Sequence, residues 1–291
     1  MASRTTKLLN PFRRAAVRQA AFFLGLAGLL ALSSTSQAGA WTRSKGDGLA
    51  VLSYYFYSTE RQFDDGWGQE EFGFNGEFTK NEWNLYVEYG LTDELTLIGN
   101  FFLDGLAFEN EFGRDTNFGL ADQEVGLRFR LAQKIPQALQ LLVKIPGPYD
   151  VNDSPALGNG QTDVELDYFI GHPFPFGSRW GFLDLGVGYR LRTAEPADEL
   201  RWYFTGGVQI NDWLDVYFLE ASGIHGLGND TPQFVGDNIL LTTDFDLIKM
   251  GASVLVEPTP GWILQAGPYW HIAGRATGAG GGFKVAVWRE F

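Results

Sequence analysis

Residues 183–191 run Leu183-Asp184-Leu185-Gly186-Val187-Gly188-Tyr189-Arg190-Leu191, and the alternation is strict. Every odd position is apolar; every even one is charged or glycine. Successive side chains of a strand point to opposite faces, so such a segment makes a strand with one oily and one ionised side. The same period of two recurs on either side of it. Trp83, Leu85, Val87 and Tyr89 alternate with Glu82, Asn84, Tyr86 and Glu88. Val125, Leu127, Phe129 and Leu131 alternate with Glu124, Gly126, Arg128 and Arg130. Leu139, Leu141, Val143 and Ile145 oppose Gln140, Leu142 and Lys144, and Val164, Leu166, Tyr168 and Ile170 oppose Asp163, Glu165, Asp167 and Phe169.

Twelve strands are predicted on this pattern, over 47–59, 79–90, 95–108, 118–131, 137–146, 162–171, 179–192, 200–210, 213–223, 247–257, 262–272 and 281–291. The segment 47–59 is apolar on both faces, and 213–223 is ambiguous. The connections interleave: short turns at 91–94, 132–136, 172–178, 211–212 and 257–261, long loops at 60–78, 109–117, 147–161, 193–199, 224–246 and 273–280. An up-and-down meander with tight turns at one end and long loops at the other matches outer-membrane barrels, which carry short periplasmic turns and long extracellular loops. The expected fold class is therefore all-β, a 12-stranded antiparallel transmembrane β-barrel.

The sidedness argues for lipid. A water-soluble sandwich packs its oily faces together and exposes its charges. Closure into a barrel leaves no unpaired backbone edge in hydrocarbon, and strands of this length suffice to cross it when tilted. Trp83, Tyr89, Trp180, Tyr189, Trp202, Trp213, Trp262 and Trp270 fall near strand ends, as in interfacial aromatic girdles. A mean hydropathy of −0.11 fits a wall that is only half apolar.

The first forty residues read as a cleaved export leader. Arg4, Lys7, Arg13, Arg14 and Arg18 precede an apolar run over 20–32, which ends in Ala38-Gly39-Ala40. That order is a charged region, a short apolar region and a small-x-small processing site. The division expected is 1–40 leader and 41–291 barrel. Location in the outer membrane of a Gram-negative cell follows, with membrane lipid and lipopolysaccharide as surroundings. The 291 residues contain no cysteine and carry a net charge of −13. Disulfides, thiolate zinc sites and cysteine nucleophiles are excluded, and so acidic a chain offers nothing to neutralise the phosphates of a nucleic acid.

The final strand resembles the recognition signal of the bacterial barrel-assembly machinery. Phe291 matches its terminal aromatic, and Val287, Val285 and Phe283 its alternating apolar positions; Arg289 departs from it. The run Val87-Glu88-Tyr89-Gly90-Leu91-Thr92-Asp93-Glu94-Leu95-Thr96-Leu97 resembles a hairpin of a broad outer-membrane transporter family linked to the MetA pathway of phenol degradation. The end of the chain, His271-Ile272-Ala273-Gly274-Arg275 and then Gly280 to Phe291, is similar to XagA-type envelope proteins, which are associated with surface-polysaccharide gene clusters. These resemblances imply a non-catalytic envelope protein and carry no catalytic residues.

The inner wall is where function is expected. Glu82, Glu88, Asp104, Asp122, Glu124, Asp163, Glu165, Asp167, Asp184 and Asp215 face Arg128, Arg130, Lys144, Arg190, Arg201 and Lys249 there. The acid excess favours cations or neutral polar solutes over anions. Asp122 and Glu124 are expected to pair with Arg128 and Arg130, and Asp163, Glu165 and Asp167 to lie near Lys144. The leading expectation is passage of a small or oligomeric solute, a small molecule or a saccharide. The alternatives are an accessory of surface-polysaccharide export and a membrane-embedded hydrolase. A hydrolase would need a serine–histidine pair, yet none of His172, His225 and His271 has an evident serine partner. Asp150-Val151-Asn152-Asp153-Ser154 begins like a calcium loop, but Pro155 and Gln161 stand where Gly and Glu are required. The acids Asp64, Asp65, Glu70 and Glu71 offer only weak surface binding, and Gly278–Gly282 lacks the Lys-Ser/Thr of a phosphate loop. No cofactor, metal site or catalytic residue is assigned.

Overall fold

The computed structural model describes residues 39–194, 196–229 and 244–291. Apart from Gly39 and Ala40, the expected leader lies outside the described residues.

Twelve antiparallel strands form one closed barrel. They are β1 (Gly48–Thr59), β2 (Glu77–Gly90), β3 (Leu95–Asn110), β4 (two runs, Gly113–Leu120 and Gln123–Ala132), β5 (Gln137–Ile145), β6 (Asp163–Phe176), β7 (Arg179–Arg192), β8 (Glu199–Asn211), β9 (Leu214–Gly226), β10 (Asp246–Thr259), β11 (Trp262–Arg275) and β12 (Gly281–Glu290). Each pairs with the next, and β12 returns to β1 in the register Leu52↔Val287, which leaves no edge. Three short strands, Arg61–Phe63, Gln69–Glu71 and Thr277–Gly278, make a second small sheet from the first loop and the β11–β12 connection.

Burial is inverted relative to a water-soluble protein. Leu127 is 42% exposed while its neighbour Arg128 is 3% exposed. Leu85, Leu141, Leu166, Val187, Val254 and Leu264 are exposed too, whereas Glu88, Asp163, Glu165 and Asp167 are buried. The oily rows form the outer wall and the ionised rows fill the inside. Phe283, Val285, Val287 and Phe291 lie on the outer wall. On β1, apolar on both sides, Leu49, Val51 and Tyr57 point inward and Leu52 outward.

Three boundaries differ from expectation. The turn expected over 172–178 shrinks to Gly177-Ser178, because β6 continues through Pro173 and Pro175 opposite Phe182 and Trp180. These prolines cost no ladder bond. The Gly171 N–H donates to the Pro136 carbonyl, and β5 begins only at Gln137, opposite Ile170, so the missing N–H of the prolines falls on a side without a partner strand. The loop expected over 109–117 shrinks to Glu111-Phe112, since Asn110 pairs with Gly113 and the hairpin runs on. Its polar residues hide the two-residue period there, but backbone pairing does not require it. Lastly, β4 breaks at Ala121-Asp122. The Gln123 side chain bridges the gap, its Oε1 accepting from the Phe102 N–H at 3.0 Å and its Nε2 donating to the Phe102 carbonyl at 2.8 Å.

The β9 ambiguity also has a cause. Its register against β10 shifts between Tyr217 and Glu220, so Tyr217 and Glu220 face inward on either side of an irregularity. A bulge exchanges the two faces and erases a single period across the segment.

Candidate functional site in the barrel lumen

Among the described residues, the side chains in the lumen form three layers. At the long-loop end, Tyr57, Phe72, Phe78, Leu106, Ala121 and Leu157 form a buried apolar cluster with Phe102, Phe108, Tyr149 and Tyr269 against it. Strands β1, β2, β3 and β11 supply most of these residues, and two loops add Phe72, Tyr149 and Leu157. Residues 60–76 lay Phe72 edge-on against Phe108, with ring centroids 5.8 Å apart. Residues 146–162 place Tyr149 on Asp122 through its hydroxyl and send Asn159 Oδ1 to within 2.7 Å of Lys144 Nζ.

Below this lid lies a charged layer. Lys80 bridges Glu82 at 2.6 Å and Asp104 at 2.9 Å. Lys144 bridges Asp122 at 2.8 Å and Asp163 at 2.7 Å. Arg190 joins Glu165 at 2.5 Å to Glu124, Arg201 lies 3.1 Å from both Glu165 and Glu199, and Arg192 meets Glu199 at 2.8 Å. This layer lines a partly open cavity of about 220 Å³. Six carboxylates (Glu82, Asp104, Asp122, Glu124, Asp163 and Glu199) line it against four cations (Lys80, Lys144, Arg190 and Arg192). One Asp104 oxygen, Oδ1, is buried without a hydrogen-bond partner.

At the short-turn end, residues 39–45 enter the barrel ahead of β1. Arg43 Nε donates to Glu88 at 2.7 Å, its second nitrogen reaches Glu290 at 3.1 Å, and its backbone N–H donates to Thr96 Oγ1 at 2.9 Å. Glu88 also accepts from Arg128 at 2.7 Å and from the Tyr86 hydroxyl at 2.7 Å. The Trp41 carbonyl accepts from Arg128 at 3.3 Å, and its ring meets Phe182 edge-on. Beside this plug, Leu49, Val51, Tyr217, Leu255, Ile263, Ala286 and Trp288 pack as an apolar floor.

The expected pairing of Asp122 and Glu124 with Arg128 and Arg130 does not occur. Asp122 pairs with Lys144, and Glu124 reaches Arg190 on β7, which is not a sheet neighbour of β4. Arg128 crosses to Glu88 on β2, and Arg130 pairs with Glu94 in a short turn. Inward side chains two apart on one strand stack along the barrel axis, whereas a narrow lumen brings opposite walls within reach of an arginine. Lys144 meets Asp163 directly across its own strand pair, as expected. Asp167 accepts from Gln140 at 3.0 Å, and Asp184 accepts from the Ala40 N–H at 3.3 Å. Lys80, Arg192, Glu199, Glu220 and Lys284 were not expected in the interior, although Lys80 shares the face of Glu82. Glu220 binds Lys284 and accepts from Ser253 at 2.7 Å.

Two of the three histidines are held by groups other than serine. His225 pairs with Asp246, and His271 Nδ1 lies 2.8 Å from the Gly278 carbonyl while its ring stacks 4.4 Å from Tyr57. His172 is exposed near a short turn. In the loop that begins like a calcium site, Asp150 accepts from the Asn152 backbone at 2.9 Å and its side chain at 2.7 Å. These bonds hold its carboxyl below the usual aspartate range and make a local turn. Among the described residues, no group of three or more His, Cys, Asp or Glu side chains is arranged to hold a metal ion.

No protein-family model and no curated protein matches the chain. Solved structures do. A crystal structure of an outer-membrane channel from Pseudomonas putida F1 superposes with a TM-score of 0.68 at 16% identity, covering 89% of this chain and 100% of that one. The translocator domain of the autotransporter NalP from Neisseria meningitidis gives 0.49 at 13% identity, covering 97% and 99%. The NanC porin gives 0.47 at 9%, covering 81% and 98%. At such identities the first of these shows a shared fold, the closed 12-stranded barrel of the outer-membrane type.

Proposed function

We propose that this chain is a narrow outer-membrane channel for small cationic or neutral polar solutes, closed at rest. The observation that carries the reading is the chamber of about 220 Å³ inside a wall that is oily outside, with six carboxylates against four cations around it. Polar walls with an acid excess favour cations, and buried charges already paired across the lumen give an incoming solute ready exchange partners. Residues 39–45 are tied in by side-chain bonds to Glu88, Glu290, Arg128 and Thr96, so their withdrawal breaks no strand pairing of the barrel. The outward row Phe283, Val285, Val287 and Phe291 suits delivery by the barrel-assembly machinery. Membrane lipid and lipopolysaccharide would surround the wall.

Single-channel recording of the refolded chain in planar bilayers tests this. The expected record is low, cation-preferring conductance, and Asp104→Asn with Asp122→Asn should lower the cation preference. A chain that never conducts, in any variant that still migrates as a folded barrel, would remove the proposal.

A second reading is favoured by the long loops and by the likeness of the chain end to XagA-type envelope proteins: an accessory of surface-polysaccharide export. Phe74 and Phe112 stand exposed with ring centroids 4.8 Å apart, and Trp67 is exposed nearby on the first loop. Aromatic faces of this kind suit saccharide stacking. Quenching of tryptophan fluorescence by oligosaccharide, lost in Trp67→Ala, would favour this reading over conduction.

A further inference from the structure

The carboxylate of Asp184 is buried on the inner wall and has no ion-pair partner among the described residues. Its hydrogen-bond donors are the backbone N–H groups of Gly39 and Ala40, the latter at 3.3 Å. Arg128 is the guanidinium nearest in effect, but its nitrogens are committed to Glu88, the Trp41 carbonyl, Tyr86 and Gln140. A buried carboxylate without a cation is strongly unfavourable.

Residues 39 and 40 are built into this place. Ala40 is 1% exposed, and a Cβ at position 39 would stand 2.2 Å from the Phe169 ring, so only glycine fits. Processing after Ala40 would discard both residues and strip Asp184 of its donors. The sequence holds a second small-x-small site two residues earlier, Ser36-Gln37-Ala38, ahead of Gly39.

We propose that the leader is cut between Ala38 and Gly39, and that the α-ammonium so created on Gly39 is the missing counter-ion of Asp184, locking the plug into the barrel. The step is a hydrolysis by a membrane-bound signal peptidase. Water supplies hydroxyl to the Ala38 carbonyl carbon, the C–N bond breaks, and the Gly39 amine leaves and is protonated at neutral pH. The donor that reaches Asp184 as an amide in the uncut chain becomes a charged group at the same place. Processing thereby completes the lumen: in a chain still carrying its leader, the Gly39 nitrogen beside Asp184 is an uncharged amide. This rests on the leader reading of the first forty residues and is independent of conduction.

The test uses the chain exported with its own leader and isolated from outer membranes. Mass spectrometry of its amino terminus should find Gly39. Acylation of that amine by an N-hydroxysuccinimide ester at pH 7 needs the neutral form. It should run roughly tenfold slower than in Asp184→Asn, the effect of one pH unit of ammonium stabilisation. A chain refolded with one extra alanine ahead of Gly39 should also react fast, which covers the case in which Asp184→Asn does not fold. A terminus at Trp41, or equal acylation rates in all folded forms, would overturn the pairing. An intact Met1 terminus in the outer membrane would overturn the leader reading and the pairing with it.

Discussion

At the long-loop end of the lumen, Phe72 and Phe78 close the barrel by filling space, whereas at the short-turn end Arg43 closes it by answering charge. The lid packs rings from loops, Phe72 and Tyr149, against rings of the wall strands, Tyr57 and Phe78 among them. The plug is a stretch of chain outside the sheet, held by a carboxylate shared between two guanidinium groups. Apolar burial responds little to ionic strength, while ion pairs weaken as salt rises, less so when buried. On the proposed channel reading the two ends would open to different stimuli, and the plug would be the end that a charged solute or a change in ionic strength addresses.

Four substitutions break or sharpen this contrast. Glu88→Gln has the largest effect, because it leaves Arg43 and Arg128 facing a neutral amide in a buried site. A cost of about 3–5 kcal/mol is expected, read as the urea midpoint of heat-modifiable gel migration. A midpoint close to wild type would mean that Glu88 does not organise the plug. Phe72→Ala empties a buried ring site at the lid and should cost about 3 kcal/mol, seen as faster proteolysis within 60–76 at a rate indifferent to salt. Arg43→Ala removes one of two cations on Glu88, a loss of about 1.5–3 kcal/mol in plug docking and roughly a 10- to 100-fold rise in the undocked fraction. Bilayer conductance should rise accordingly, and wild type should approach the variant at high salt. A salt-independent difference would place the barrier elsewhere. Arg114→Ala, in a pair with Glu109 at 3.8 Å on the solvent-exposed rim, should change stability by less than about 1 kcal/mol and leave conductance unchanged. A larger change would make the rim part of the gate.

Much of the architecture is legible from the period of two. Asp184 and Leu185 are adjacent, and their types alone say that one faces a polar interior and the other an oily exterior. The reading weakens where that constraint lapses. Beyond the oily band, as in Arg114 to Asn117, both faces meet water and the pairing continues unannounced. At Tyr217 to Glu220 a register shift swaps the faces. Pro173 and Pro175 look like a turn in isolation and become admissible in a strand only because the pairing with β5 stops at Ile170 and does not reach them.

The sequence by itself determined which residues are ionised and which are oily, and so the sidedness of every regular strand. Strand alternation is a local property of the backbone, and its sign is written in residue type. Only the tertiary structure decided which charge answers which. Glu124 with Arg190, Arg128 with Glu88 and Arg201 with Glu165 each skip at least one intervening strand. Their meeting depends on how the closed sheet is staggered and how narrow its lumen is, and no local pattern encodes either. The same holds for Trp41 and Arg43, which carry no periodic signal and acquire a role because closure leaves a polar space that they fill.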